Sequence, residues 1–182
     1  MSQLVTLDQA TVTVSETRTF GPISWQIESG QKWFIAGRNG SGKSVLLELI
    51  ERGGRVLAGA ASGIPQDVVV VSAAAHLALI DRERRQYDGP DDKLEGTSVA
   101  DLLTELKPVD TVLTELIRRF QLQPLLRQRF RQLSTGETKK VLFVRALASE
   151  CSMLMLDEPL AGLDAASQAV ALGSLADFVG DK

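Results

Sequence analysis

The chain has 182 residues, with 20 basic and 23 acidic side chains and a net charge of −3. That length suits one domain able to bury a core, and the near balance of charge favours neither nucleic acid nor an acidic membrane surface as a partner. A hydrophobic share of 44% and a charged share of 24% are those of an ordinary globular domain; no apolar run approaches membrane-spanning length, the start Met1-Ser2-Gln3-Leu4-Val5 has no secretory pattern, and the lone Cys151 excludes an internal disulfide, so the expected location is the cytoplasm.

In chain order, Leu4 to Leu7 and Thr11 to Ser15, rich in Val and Thr, and the alternating Ile23 to Ile27 predict strands, with a turn over Glu28-Ser29-Gly30-Gln31. Lys32 to Ala36 is a short, nearly continuous apolar run, which predicts a strand buried on both faces. Val45, Leu46, Leu49 and Ile50 recur at helical spacing, and Gly53-Gly54 ends that helix. Val68 to Val71 is the strongest strand signal. From Ala73 to about Phe130, Leu102, Leu103, Leu106, Val112, Leu113, Leu116, Ile117 and Phe120 recur at three and four, predicting amphipathic helices broken by Pro108 and Pro124, beside a polar loop over Asp88 to Lys93. A strand at Ser152 to Asp157 and a helix from about Ala165 to Val179 complete the pattern. The expected plan is a strand-rich start, an α/β core and a helical subdomain over roughly 74–132, all within a single domain.

Three segments carry chemistry. Gly37-Arg38-Asn39-Gly40-Ser41-Gly42-Lys43-Ser44 follows an apolar run and opens a helix. The glycines permit a tight ring whose amides converge on a polyphosphate, the helix start adds its positive dipole end, Lys43 brings a charge to the phosphates, and the Ser44 hydroxyl is suited to Mg²⁺. Four apolar residues then lead into Asp157-Glu158. At the carboxyl end of a buried strand, Asp157 would hold Mg²⁺ and Glu158 would orient or deprotonate an attacking water. Taken alone, that pattern describes equally well a strand emerging into solvent. Leu133-Ser134-Thr135-Gly136-Glu137 opens an amphipathic helix. Ser134 and Glu137 fit a capping box, which is a sufficient reading by itself; the other is that the same helix start, through Ser134 and Gly136, grips a γ-phosphate presented by a second unit.

Other polar residues carry less. His76 stands alone with no fixed acid or nucleophile nearby, Cys151 reads as an inert thiol, Trp25 and Trp33 suit sheet packing, and the Arg82 to Arg85 and Arg127 to Arg131 clusters read as solvated helix faces.

In that order and spacing, these segments resemble the ATP-binding-cassette (ABC) ATPases over essentially the whole chain: a Walker A loop at Gly37 to Ser44, a signature at Leu133 to Glu137, a Walker B strand at Met153 to Glu158 and a D-loop at Leu160 to Asp164. Within the superfamily, the Leu-Ser-Thr-Gly-Glu-Thr-Lys-Lys and Glu-Pro-Leu-Ala-Gly-Leu-Asp runs resemble the first half of ModF-type tandem cassettes, described as molybdenum-transport or photorepair ATP-binding proteins. The resemblance implies a P-loop NTPase core of α/β class with an N-terminal antiparallel β subdomain and a helical insertion. It implies Mg²⁺ and ATP as cofactors, hydrolysis at a composite site shared with a second cassette (a tandem domain or a second copy), and import of a small solute such as molybdate through a membrane permease at the inner face of the cell membrane. The alternatives are a regulatory or repair cassette working on nucleic acid or a protein complex, with nucleic acid the less favoured partner, and a binding module with little turnover.

The sequence departs from the family at several positions. Neither Val14 nor Ser15, where an adenine-stacking aromatic is expected, is aromatic; Ser72-Ala73-Ala74-Ala75 stands where a glutamine should end the Val68 to Val71 strand; Thr135 replaces a glycine and Glu137 a glutamine. The strand and switch histidine that follow the D-loop helix in the family have no counterpart before Lys182, so the expectation is a truncated cassette with weak turnover.

Overall fold

The computed structural model describes residues 3–15, 18–63, 65–86, 96–105 and 109–180. They form two compact units, one of Met1–Val69 with Cys151–Met155 and one of Val70–Glu150 with Leu156–Lys182. The polar loop at 88–93 and the positions Leu106 and Pro108 lie outside the described residues.

The first unit is built on an antiparallel sheet of β1 (Gln3–Ser15), β2 (Arg18–Glu28) and β3 (Arg55–Ser62), in the order β2-β1-β3. In β1 the buried residues are Val5 and Leu7, then Ala10 and Val12. A strict two-residue alternation would put the second pair on the opposite face. The pairing register shifts between Leu7 and Ala10, and Gln9 takes a positive φ of 44°, so a bulge absorbs one residue and returns the apolar side to the same face. The Gln9 amide donates to Ser24 Oγ across the pair at 3.0 Å, which satisfies a donor that the bulge removes from the ladder. Helix α1 (Lys43–Arg52) packs Leu46, Leu49 and Ile50 into this unit against β1 and β2. Each fully buried aliphatic side chain contributes roughly 1.5–3 kcal/mol by leaving water.

Strand β3 was not evident in the sequence. Its Arg-Val-Leu-Ala-Gly-Ala-Ala-Ser run is poor in strand-forming residues and mostly exposed; its backbone is held by the open edge of β1, pairing Thr13 with Arg55 through to Thr6 with Ser62.

The expected strand at Lys32 to Ala36 does not form. No described strand pairs with the segment, and its residues are exposed, Phe34 to 92%. An apolar run becomes a strand only when a neighbouring strand takes up its N–H and C=O groups, and no described strand lies alongside this one. Trp33 turns back on β2 instead, edge-on to Trp25 with ring centroids 5.4 Å apart, while its indole N–H donates to Gln31 Oε1 at 3.1 Å.

Strands β4 (Val68–Val71) and β5 (Met153–Leu156) form a separate two-stranded sheet. Both strands are divided between the units, Val68, Val69 and Met153 to Met155 falling in the first. The helices of the second unit are α2 (Ala73–Gln86), α3 (Val99–Thr104), α4 (Thr111–Arg119), two short 3₁₀ turns at Gln123–Leu125 and Phe130–Gln132, α5 (Thr135–Ala148) and α6 (Ala165–Gly180). Helix α5 is its axis. Val141, Phe143, Val144 and Leu147 are buried, and α3, α4 and α6 pack around them. The Phe143 ring meets Phe120 at 5.6 Å between centroids. A helix apolar over most of its girth must be covered on most sides, which is why the short α3 and α4 fold onto it.

Candidate functional site

In the first unit, residues 37–41 form an exposed loop that leads into α1. Two glycines there leave little room for a side chain, Gly42 the more strictly. A Cβ on Gly37 would stand 2.6 Å from Ser41 Oγ, and one on Gly42 would run into the Phe20 ring of β2, 2.8 Å from Cδ2. Gly42 is also the N-cap of α1 at φ 94°, in the left-handed region that favours glycine, and no side chain caps the helix. The loop closes on itself through Ser41 N–H to the Arg38 carbonyl at 3.1 Å. The Lys43 ammonium donates to the carbonyls of Gly37 at 2.7 Å and Arg38 at 3.0 Å. The result is a ring of backbone folded around a lysine at a helix start whose amides lack a side-chain acceptor, with Arg38, Asn39 and Ser44 exposed around it.

In the second unit, Asp157 follows β5, and its amide donates to the Val71 carbonyl at 2.8 Å. Glu158 is exposed and adopts φ 48°. For a non-glycine residue, that conformation costs about 1–3 kcal/mol and persists where its surroundings impose it. A turn imposes it here: Ala161 N–H donates to the Glu158 carbonyl at 3.0 Å, and Leu163 N–H to Leu160 at 3.2 Å, with Leu163 buried. Asp164 then caps α6, accepting from Ser167 N–H at 2.8 Å and from its hydroxyl at 3.0 Å. Those bonds, the backbone one foremost, with the nearby Lys140 ammonium, hold the Asp164 carboxyl below its ordinary value.

The start of α5 lies beside this turn. Ser134 and Glu137 form the expected capping box: the Ser134 N–H and hydroxyl donate to Glu137 Oε2 at 2.8 and 2.7 Å, and the Glu137 N–H donates back to Ser134 Oγ at 3.3 Å. Gly136 faces the Gly162 carbonyl, which a Cβ on Gly136 would meet at 4.0 Å. Gly37 to Ser44 thus belong to the first unit, while Ser134, Gly136, Asp157 and Glu158 share the second.

Two features went unread in the sequence. Ser72, standing where the family has glutamine, caps α2 by accepting from Ala75 N–H at 3.0 Å. The lysine pair after the signature, Lys139-Lys140, reaches the 161–164 turn through Lys139 to the Ala161 carbonyl and Lys140 to Asp164; the only sequence signal was the Thr-Lys-Lys run itself.

Comparison with known proteins agrees with this architecture. The family model described as "ABC transporter" matches residues 20–161. The chain is 35% identical to the ABC transporter ATP-binding protein ModF of Escherichia coli, over 92% of this chain and 35% of that protein. It is 30% identical to the molybdate import ATP-binding protein MolC of Haemophilus influenzae, over 90% of this chain and 63% of that one. Among solved structures, an ABC transporter ATP-binding protein from Pyrococcus furiosus superposes with a TM-score of 0.70 at 20% identity, covering 100% of this chain and 88% of the other. The chain belongs to the ABC transporter family of ATPases and has its α/β P-loop fold. It spans about a third of the length of ModF and under two thirds of MolC. Among the described residues, no helix is long and apolar enough to cross a membrane.

Proposed function

We propose that this chain binds and hydrolyses Mg·ATP as one cassette of a larger ABC protein. The observation that carries the reading is the glycine ring at residues 37–42, which ends at an uncapped helix start and is folded around the Lys43 ammonium. Loop and ligand fit each other: Cβ atoms at Gly37 and Gly42 would collide with their neighbours, leaving backbone to face a polyphosphate, and Lys43 now spends its charge on two carbonyls that phosphate oxygens would outcompete.

In the first unit, the amides of residues 37–42 would cradle the phosphates, Lys43 would neutralise them, and the Ser44 hydroxyl would serve Mg²⁺. In the second unit, Asp157 would serve Mg²⁺, directly or through water, and Glu158 would orient the attacking water and accept its proton. Hydroxyl and carboxylate oxygens suit a hard cation, and bound Mg²⁺ supplies charge neutralisation on the phosphates. Ser134 and Gly136 would present the start of α5 to nucleotide held by a second cassette, in tandem or in a second copy of the chain.

The ModF and MolC relatives favour a cytoplasmic cassette that energises import of a small anion such as molybdate through a membrane permease. Ser72 favours a second reading: with a helix cap in place of the glutamine, the segment lacks the side chain expected to engage a permease, as would suit a regulatory or repair cassette. Co-purification with a permease supports the first reading, and salt-dependent retention on nucleic acid the second.

Titration calorimetry with Mg·ATP tests the shared core of both. The chain should release heat, and Lys43→Ala should weaken binding by at least about tenfold, the loss of one charge-assisted contact. No heat from folded protein, or identical isotherms for the two, would refute it.

A further inference from the structure

Lys139 sits in the second turn of α5, yet its side chain belongs to the turn that follows Glu158. The ammonium donates to the Ala161 carbonyl. The stem lies over Gly162, where a Cβ would stand 2.9 Å from Nζ, 3.5 Å from Cε and 3.7 Å from Cδ, and where φ is +77°. Ala161 is bound on its other side as well, its N–H going to the Glu158 carbonyl at 3.0 Å. One lysine thus holds, through a single residue, the backbone of the acid that carries the positive φ. Lys140, the next residue, has Nζ 3.7 Å from Asp164 Oδ2, at the far end of the same turn. That pair is exposed on the acid side and contributes little alone; the Lys139 contact, made to a backbone carbonyl over a glycine, is the specific one.

We propose that Lys139 is a positioning residue for hydrolysis, tying the start of α5 to the 158–162 turn so that Ser134, Gly136 and Glu158 keep one geometry. The glycine is part of the device, since a side chain at 162 would displace the ammonium. A lysine that merely stabilised the fold would lower binding and turnover together as folded protein was lost. A positioning residue lowers turnover while nucleotide affinity holds. The inference rests on the nucleotide reading above, and the experiment separates the two.

The full chain is compared with Lys139→Met, Lys139→Arg and Lys43→Ala in three measurements: steady-state ATP hydrolysis, affinity for a fluorescent ATP analogue, and amide hydrogen exchange over 158–163. Expected for Lys139→Met is a kcat reduced about tenfold or more with KM and analogue affinity changed less than about threefold, together with faster exchange at Ala161 and Leu163. Lys139→Arg should restore both, because its fork can still reach the carbonyl. Lys43→Ala should lose affinity and leave exchange at Ala161 unchanged. Unchanged kcat in Lys139→Met, affinity falling in step with kcat, or an Arg variant as slow as the Met variant would overturn the proposal. Should the parent chain neither bind nor hydrolyse ATP, the nucleotide reading fails and the role in hydrolysis with it; the tether is then judged by exchange alone, and equal rates in parent and Lys139→Met would overturn that too.

Discussion

The Phe20 ring of β2 lies against the α-carbon of Gly42 so closely that a Cβ there would overlap its edge, 2.8 Å from Cδ2 and 3.2 Å from Cζ. The sheet therefore sets the geometry of the helix start, and Gly42 is held by two separate constraints, the ring and a φ of 94°. Gly42→Ala should cost about 1–2 kcal/mol for the left-handed backbone and about 1–3 kcal/mol more for overpacking. Adding Phe20→Ala should recover the packing part and leave the backbone part, so a double-mutant cycle in urea yields a favourable coupling of roughly 0.5–3 kcal/mol. Simple additivity of the two changes would show that the ring does not constrain the loop.

The capping box at the start of α5 makes a prediction about acid. Bonds from the Ser134 hydroxyl first, and then from its N–H, lower the Glu137 carboxyl below its ordinary value of 4.5. A group lowered in the folded state contributes stability that is complete above pH 4.5 and is lost as pH falls through the lowered value. Ser134→Ala should cost about 1 kcal/mol at neutral pH. Glu137→Gln, which still accepts from Ser134 N–H, should keep most of that stability and lose its acid sensitivity. Urea midpoints measured from pH 7 to pH 3 decide the matter; parallel curves for Glu137→Gln and the parent would contradict it.

Inside the helical unit, Glu83 of α2 is fully buried and takes the Thr97 N–H at 3.0 Å and the Thr97 hydroxyl at 2.8 Å. The same segment is pinned from the other side by Arg129 Nη1 to the Gly96 carbonyl at 2.9 Å and by Phe130 N–H to the Thr97 carbonyl at 2.9 Å. Thr97→Val keeps the volume and removes one donor from a buried carboxyl, so it should destabilise by about 1–3 kcal/mol, whereas Thr97→Ser should stay within about 1 kcal/mol of the parent. Chemical denaturation of both variants is the test, and equal midpoints for Val and Ser would rule the hydroxyl out.

His76, on α2, has its pKa lowered, chiefly by burial and secondarily by the Lys139 charge. Above the ordinary value of 6.5 both folded and unfolded chains carry the neutral ring; below it the unfolded chain takes up the proton first, so stability declines as pH falls from 6.5 towards the lowered value. His76→Gln should flatten the stability curve over that window, above the range where Glu137 titrates. Thermal midpoints between pH 7 and pH 5 that fall equally in both proteins would assign the decline to other groups.

Much of the candidate site's local geometry was legible because its contacts are short in sequence. Gly37 meets Ser41 within the same loop, the Ser134 to Glu137 cap closes within one helical turn, and Asp157 stands where an apolar run of four ends. Each is set by neighbours in the chain, so order and spacing revealed it, and the resemblance to ABC cassettes followed from their succession. The helix ends at Gly53 and Ala165 were legible for the same reason.

What the tertiary structure decided depends on partners distant in sequence. Lys32 to Ala36 has the residues of a buried strand and joins no described sheet, because a strand is made by its neighbours; Arg55 to Ser62 has poor strand residues and is one, because β1 offers it an edge. The bulge at Gln9, the ring beneath Gly42 and the reach of Lys139 to Ala161 each join residues that no periodicity links. Composition and spacing specify which backbone groups need satisfying and which side chains need covering. Which distant residue meets each need is settled only when the chain closes on itself, since hydrogen bonds and van der Waals contacts act over a few ångströms of space, whatever the distance along the chain.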